Sequence, residues 1–181
     1  MVRPSPVLTG DIVVLRRKRP SDLAELWAVV DAALPHLRPW MSWTLGGVTE
    51  DTIRGHLADV DVAWDAGTEF GYSITIDGAI VGSCSLMARV GPGGIEIGYW
   101  LHPAHVGRGA ALEAAALLVE TAFGLPGVQF VEIVHDSANV RSGAIPRKLG
   151  FTEVARVSPP QDPITSAEDG VDVRWRLTKP R

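Results

Sequence analysis

"YWLHPAHVGRGAALEAAALLVETAF", residues 99–123, runs from an aromatic strand end into a long alanine-rich helix through a loop in which Gly107 and Gly109 flank Arg108. A turn alone is usually made with one glycine. Two glycines followed by Ala110, Ala111 and Leu112 leave little side-chain bulk beyond that of Arg108. A helix N-terminus carries unpaired N–H groups and the positive end of the helix dipole. Glycines let a phosphate reach those amides closely. Two readings stand side by side: a cradle for a pyrophosphate, and a turn that packs helix tightly against sheet. A nucleoside-triphosphate loop would end in Gly-Lys-Ser/Thr, and the chain has Gly109-Ala110-Ala111 instead. A dinucleotide fingerprint would place its third glycine at Leu112, so both patterns fail.

Outward from this joint, the order of elements predicts an α/β fold. "DIVVLRRK" (11–18) reads as a strand. "RPSDLAELWAVVDAAL" (19–34) reads as a helix with a Ser21/Asp22 start signal, and Leu23, Leu26, Trp27 and Val30 share one face. Pro35 and Pro39 are expected to end it, and "LRPWMSW" (37–43) follows as an aromatic loop. A second helix spans 49–67, capped by Thr49 with Thr52 behind it. Strands are expected at 69–77, 79–88 and 93–101, the first two joined by an Asp77-Gly78 hairpin turn. Then come a helix at about 109–123, a strand at 128–135, a helix at 139–150 and strands at 151–157 and 170–178. Strands joined by hairpins and then β-α-β units imply one domain, residues 1–181, with a mixed sheet flanked by helices.

Composition is that of an ordinary globular chain: 181 residues, 46% hydrophobic, 21% charged, net charge −4. With no Lys/Arg block there is no footprint for nucleic acid, and no nucleic-acid partner is expected. No segment approaches the roughly 18 apolar residues of a membrane span, and the N-terminus lacks a secretory apolar core. A cytoplasmic protein without a membrane partner is the expectation. Cys84 stands alone, so neither a disulfide within the chain nor a multi-cysteine metal site is available, and no metal is expected. Its apolar strand-like surroundings suit a buried thiol better than a nucleophile.

"IEIGYWLHPAHVGRGAALEAAALLVETAF" followed by "NVRSGAIPRKLGFTEVAR" resembles the GNAT family of acyl-CoA-dependent N-acetyltransferases, in its RimJ/RimL-type branch. Nearly the whole chain takes part. "LRRKRPSDLAELWAVV" resembles the branch's first strand and helix, and "LRPWMSW" its aromatic loop. The run Val106-Gly107-Arg108-Gly109-Ala110-Ala111 is similar to the family's Q/R-x-x-G-x-G/A element, with Val106 departing at the first position. Asn139-x-x-Ser142 followed by "KLGF" is the more specific signal.

The resemblance implies splayed strands at an acyl-CoA cleft. Tyr99, Trp100, Leu101 and His102 would line the pantetheine arm; Gly107, Arg108, Gly109, Ala110, Ala111 and Leu112 would bind the pyrophosphate. Asn139 would hydrogen-bond the arm, and Ser142 would stand near the acyl-carrying sulfur. Acyl transfer to an amine needs a neutral nucleophile, an oxyanion partner and a proton for the departing thiolate. A backbone N–H near Trp100 suits the oxyanion, and Ser142 the thiolate. Asn139 and Ser142 also fit a plain helix cap. Glu96, alternating with Ile95 and Ile97, is the candidate general base; a salt-bridged strand residue is the competing reading. His102 and the His135-Asp136 pair are weaker base candidates, and no tyrosine stands out as an acid. Trp40 is the candidate for contact with substrate. The implied activity is transfer of an acetyl group from acetyl-CoA, the co-substrate, to a primary amine of a peptide or small molecule. The rival is a non-catalytic acyl-CoA sensor or partner-binding module on the same fold. Relatives of this branch are often homodimers. The loop 158–170, with three prolines and no periodicity, is expected to be mobile.

Overall fold

The computed structural model describes residues 2–180. Eight strands form one open sheet in the order β1-β2-β3-β4-β5-β6-β8-β7. They are β1 Val7–Thr9, β2 Val14–Arg17, β3 Glu69–Ile76, β4 Ala79–Met87, β5 Gly94–Leu101, β6 Phe130–Asp136, β7 Thr152–Val157 and β8 Asp172–Thr178. The helices are α1 Leu23–Leu37, α2 Glu50–Ala66, α3 Ala110–Gly124 and α4 Val140–Lys148. Every strand pairing is antiparallel except that of β5 with β6.

Residue alternation sorts the sheet's two faces. Leu15, Tyr72, Ile74, Cys84, Leu86, Ile95 and Ile97 are buried in the main core with Ala114, Leu118 and Ala122 of α3. On the other face α1 and α2 pack through Leu26, Val30, Leu34, Ile53 and Leu57, with Ile80 from the sheet and Trp100 beside them. Trp64, at the end of α2, meets Phe70 and Tyr72 edge-on at ring distances of 5.2 and 5.1 Å. The Asp77-Gly78 turn has positive φ at both residues, 50° and 82°, which matches the twist of its two strands. Thr49 caps α2 by accepting from Thr52 N–H, and Gly67 ends it in the left-handed conformation.

Two departures from the sequence reading have a clear physical cause. Pro35 lies inside α1 and does not end it. In the last turn it forfeits only the one bond its missing N–H would have made, and the helix closes before Pro39. The strand expected from residue 11 starts at Val14, and a short β1 precedes it. The reason is Glu113, in the first turn of α3. Its carboxylate accepts the N–H groups of Asp11, Ile12 and Val13 at 2.9, 2.8 and 2.7 Å, which holds that segment as a turn over the glycine loop. Gly10 has no room for a side chain there, since a Cβ would lie 2.5 Å from the Glu113 carboxyl carbon. Glu113→Ala is expected to lower unfolding free energy by about 2 kcal/mol, because three backbone donors, that of Val13 partly buried, lose a charged acceptor. Urea denaturation followed by circular dichroism measures this, and a loss under 0.5 kcal/mol would contradict the anchor.

Candidate active site

The ladder between β5 and β6 holds for three pairs, Gly94 with Phe130, Ile95 with Val131 and Glu96 with Glu132, and then stops. Beyond it β5 stays bound to β4 as far as Leu101, and β6 to β8 as far as Asp136. The strands are therefore parted, as the resemblance implied. The direction of the free backbone groups follows from bonds at both ends of β5. Gly93 C=O accepts from Gln129 on the β6 side, and His102 N–H donates to Val81 C=O on the β4 side. Alternation then turns the N–H and C=O groups of Ile97, Tyr99 and Leu101 into the gap. Trp100's own amide faces β4, so the free N–H groups nearest to it are those of Tyr99 and Leu101.

A cavity of about 790 Å³ opens beside the gap on the α1/α2 face. Its walls include Glu96, Tyr99, Trp100, Asn139, Ser142 and Trp40. These six candidates come together. Leu101, His102 and residues 107–112 lie outside its walls, at the far end of β5 and the start of α3. Gly107 and Gly109 have φ of 82° and 86°, which only glycine adopts easily. The amides of Ala110, Ala111 and Leu112 fall in the first helical turn, where no helix carbonyl reaches them.

Asn139 caps α4: its Oδ1 accepts from Ser142 N–H at 3.1 Å. That cap leaves the Ser142 hydroxyl free to turn elsewhere. Ser142 Oγ lies 3.3 Å from the Tyr99 hydroxyl, across the cleft from β5. Burial pushes the Tyr99 pKa up to about 12, against a smaller opposite pull from the Ser142 contact, so its proton is retained through the neutral range. Tyr99 is thus a proton-bearing partner of Ser142, a role that its place in an aromatic strand gave no reason to suspect. Glu96 is salt-bridged to Arg89, which is itself half-exposed and on the cavity wall. The salt-bridged reading of Glu96 therefore holds, and the same residue lies on the cavity wall.

His135 is unsuited to act as a base. Its Nδ1 donates to the Asp136 carbonyl at 2.7 Å and its Nε2 accepts from Trp175 Nε1 at 3.0 Å. Burial lowers its pKa, outweighing the Asp136 carbonyl, and Gly143 presses on the ring with no space for a Cβ. His102 Nδ1 is taken by Ala104 N–H at 3.2 Å. Asp136 proves structural as well. Its carboxylate accepts from Ala138, Asp169, Gly170 and Val171 N–H at 2.8–3.0 Å. Those bonds tie down the end of the 158–170 loop, and Pro39 C=O ties its middle by accepting from the Thr165 hydroxyl and Ala167 N–H. The loop expected to be mobile is thus stitched to β6 and to the aromatic loop, by partners too distant in sequence to be read there. Among the described residues no group of three or more His, Cys, Asp or Glu could hold a metal ion, and no helix is long and apolar enough to cross a membrane.

A mixed sheet parted at its parallel pair, in front of a glycine-rich helix start, is the sheet of the GNAT-type acetyltransferases. The chain belongs to this family: the model for the acetyltransferase (GNAT) domain matches residues 13–152. No curated protein matches the chain. Among solved structures it is similar to RimL, a ribosomal L7/L12 alpha-N-protein acetyltransferase in complex with coenzyme A, at TM-score 0.87 and 18% identity over 95% of this chain and 97% of that one. It is also similar to MccE, the microcin C7 self-immunity acetyltransferase in complex with acetyl-CoA and AMP (0.85, 16%, 94% and 94%). A third is RimJ of Mycobacterium smegmatis with a CoA disulfide (0.81, 21%, 97% and 85%). At these identities the likeness is one of fold.

The Asp136 carboxylate gives this region a definite pH signature. Burial alone would raise its pKa, but the four N–H donors outweigh that and hold it below the ordinary 3.8. A carboxyl depressed in the folded state contributes stability that is fully present above the unfolded value and is lost as pH falls through the folded one. Asp136→Asn is expected to cost about 3 kcal/mol at pH 7, since an amide N–H₂ would face backbone donors. The gap between wild type and variant should narrow below pH 3.8. Urea titrations across pH 2.5–7, a range bracketing the reference carboxyl value by about a unit or more on each side, give the curve; a constant gap would contradict the assignment.

Proposed function

We propose that this acetyltransferase moves an acetyl group from acetyl-CoA directly to a primary amine, with both substrates bound at once. The observation that carries the reading is the gap between β5 and β6, whose free backbone edge opens onto the cavity holding Glu96 and Ser142. The pantetheine arm, an amide-bearing chain, would pair with the open edge of β5 as an added strand. The pyrophosphate would sit on the amides of residues 107–112, with Arg108 as a neighbouring cation.

The reaction needs three things of the chain. Glu96 removes a proton from the incoming ammonium, directly or through water, and Arg89 fixes its orientation. The free amine attacks the thioester carbon, and the oxygen that gains charge is met by an N–H of Tyr99 or Leu101 facing the gap. Collapse breaks the carbon–sulfur bond; the sulfur takes the proton of the Ser142 hydroxyl, the Tyr99 hydroxyl replaces it, and the second proton shed by the attacking nitrogen returns to Tyr99 through water, so both hydroxyls end neutral. Cys84 takes no part; burial pushes its pKa up to about 12, which leaves it a thiol. Peptide N-termini and small amines both fit a cavity of this size, and Trp40 and the Thr165-anchored loop stand on its acceptor side.

Thiol release from acetyl-CoA, measured across a panel of peptides and small amines, tests the reading. Absence of turnover with tight acetyl-CoA binding would leave the chain a sensor. Ser142→Ala keeps the N–H that Asn139 caps, so it should lower kcat at least tenfold with acetyl-CoA affinity nearly unchanged. A loss of binding without loss of kcat would mark Ser142 as a cap only. Gly109→Val should weaken acetyl-CoA at least tenfold by calorimetry, about 1.4 kcal/mol or more, because the left-handed backbone that aims the amides is strained by any side chain. Unchanged affinity in the folded variant would remove the pyrophosphate from this loop.

A further inference from the structure

The cavity floor carries a buried lysine for which the acetyl-transfer chemistry has no use. Gly71, Ser85 and Gly98 lie side by side across β3, β4 and β5 on the α1/α2 face, with Ser73 and Ser83 in the next row. Lys18 joins this row from the end of β2, its N–H donating to Gly71 C=O. Its Cδ lies 3.5 Å from where a Gly71 Cβ would be, and Ser85 Oγ is 3.6 Å from the same point. The small residues make room for the long side chain, which is only 2% exposed and forms part of the cavity wall.

The ammonium has three N–H donors. Its partner is His56 Nε2 of α2, at 3.1 Å, and among the described residues no carboxylate lies within salt-bridge distance. The arginines of the wall are answered: Arg89 by Glu96, Arg174 by Glu132 at 3.7 Å. Burial lowers the pKa of Lys18, with Glu69 and Cys84 pulling weakly the other way. The His56 pKa is lowered too, by burial of its ring edge and then by Lys18, although the residue as a whole is exposed. A neutral His56 accepts one Lys18 donor and leaves two. A buried ammonium with no carboxylate beside it costs several kcal/mol, whereas methionine would fill the same volume without that cost.

We propose that Lys18 binds a carboxylate of the acceptor, which makes the substrate an acidic amine. Lys18 and Glu96 wall the same cavity, Lys18 over Gly71 at one end of the small-residue row and Glu96 next along β5 from Gly98 at the other. A cation-bearing side chain and a carboxylate facing one cavity suit an α-amine whose own side chain is acidic, as in an N-terminal Glu or Asp, or in the free amino acid. The proposal rests on the transferase reading for the fate of the amine, but not for binding of the carboxylate.

The test is calorimetric binding of Glu-Ala-Ala-amide and Gln-Ala-Ala-amide, and of free glutamate and glutamine, to the protein with and without CoA, alongside thiol release from acetyl-CoA. The acidic member of at least one pair should bind at least tenfold tighter and show the correspondingly lower KM. The pair that discriminates separates a peptide terminus from a free amino acid. In Lys18→Met that ratio should fall toward one while the melting temperature holds or rises; a merely structural lysine would weaken both members alike and lower it. Lys18→Gln serves if the methionine variant does not fold. Equal binding of acidic and neutral members to the wild type, or binding of neither, overturns the proposal. Preferential binding without thiol release leaves Lys18 assigned and overturns the transferase reading instead.

Discussion

The site depends on a ladder that stops. Two strands that run parallel for three residue pairs and then part leave backbone donors and acceptors unsatisfied along both lips, and such groups demand a partner of the same kind. Each strand is secured on its outer side, β5 by β4 and β6 by β8, so neither can close the gap by sliding. At the closed end the fit is tight: Gly94 has no Cβ, and the Phe130 ring lies over it with Arg176 stacked above at 4.1 Å. The last registered pair sets Glu96 beside Glu132, two acids on one face of the sheet. Like charges at that spacing oppose further pairing. Each is drawn instead to its own arginine, Glu96 to Arg89 and Glu132 to Arg176 and Arg174.

From that constraint the rest of the site can be placed. The gap faces α3's glycine-rich start at one end and the cavity under α1 and α2 at the other. α4 contributes Ser142 from the far lip, where Tyr99 meets it. The aromatic loop and the 158–170 loop wall the cavity together and are joined at Pro39. On the proposed reading, acceptor choice is made on the α1/α2 face of the sheet, where Gly71, Ser85 and Gly98 leave space beside Lys18, and the acyl donor is held by backbone groups.

How much of this was legible in the chain differs by kind of feature. Element order, the Asp77-Gly78 hairpin, the Thr49 cap and the glycine loop were all readable. Each rests on residues within a few positions of one another, where propensity and turn chemistry act. Asn139 and Ser142 were legible as a motif for the same reason. What the sequence could not decide was which distant groups meet. Glu113 turning residues 11–13, Asp136 gathering the amides of 169–171 and Thr165 reaching Pro39 each span tens of residues or more. The loop looked free because its partners lie elsewhere in the chain. Glu96 drew two competing readings because a strand residue's partner is chosen by the neighbouring strand and loop, not by its own alternation. Lys18 reads in the sequence as the polar end of a strand; only the fold shows that it is buried, facing a cavity, with no carboxylate within salt-bridge distance among the described residues. Local chemistry was written in the order of residues, and long-range electrostatics was set by the sheet that brings them together.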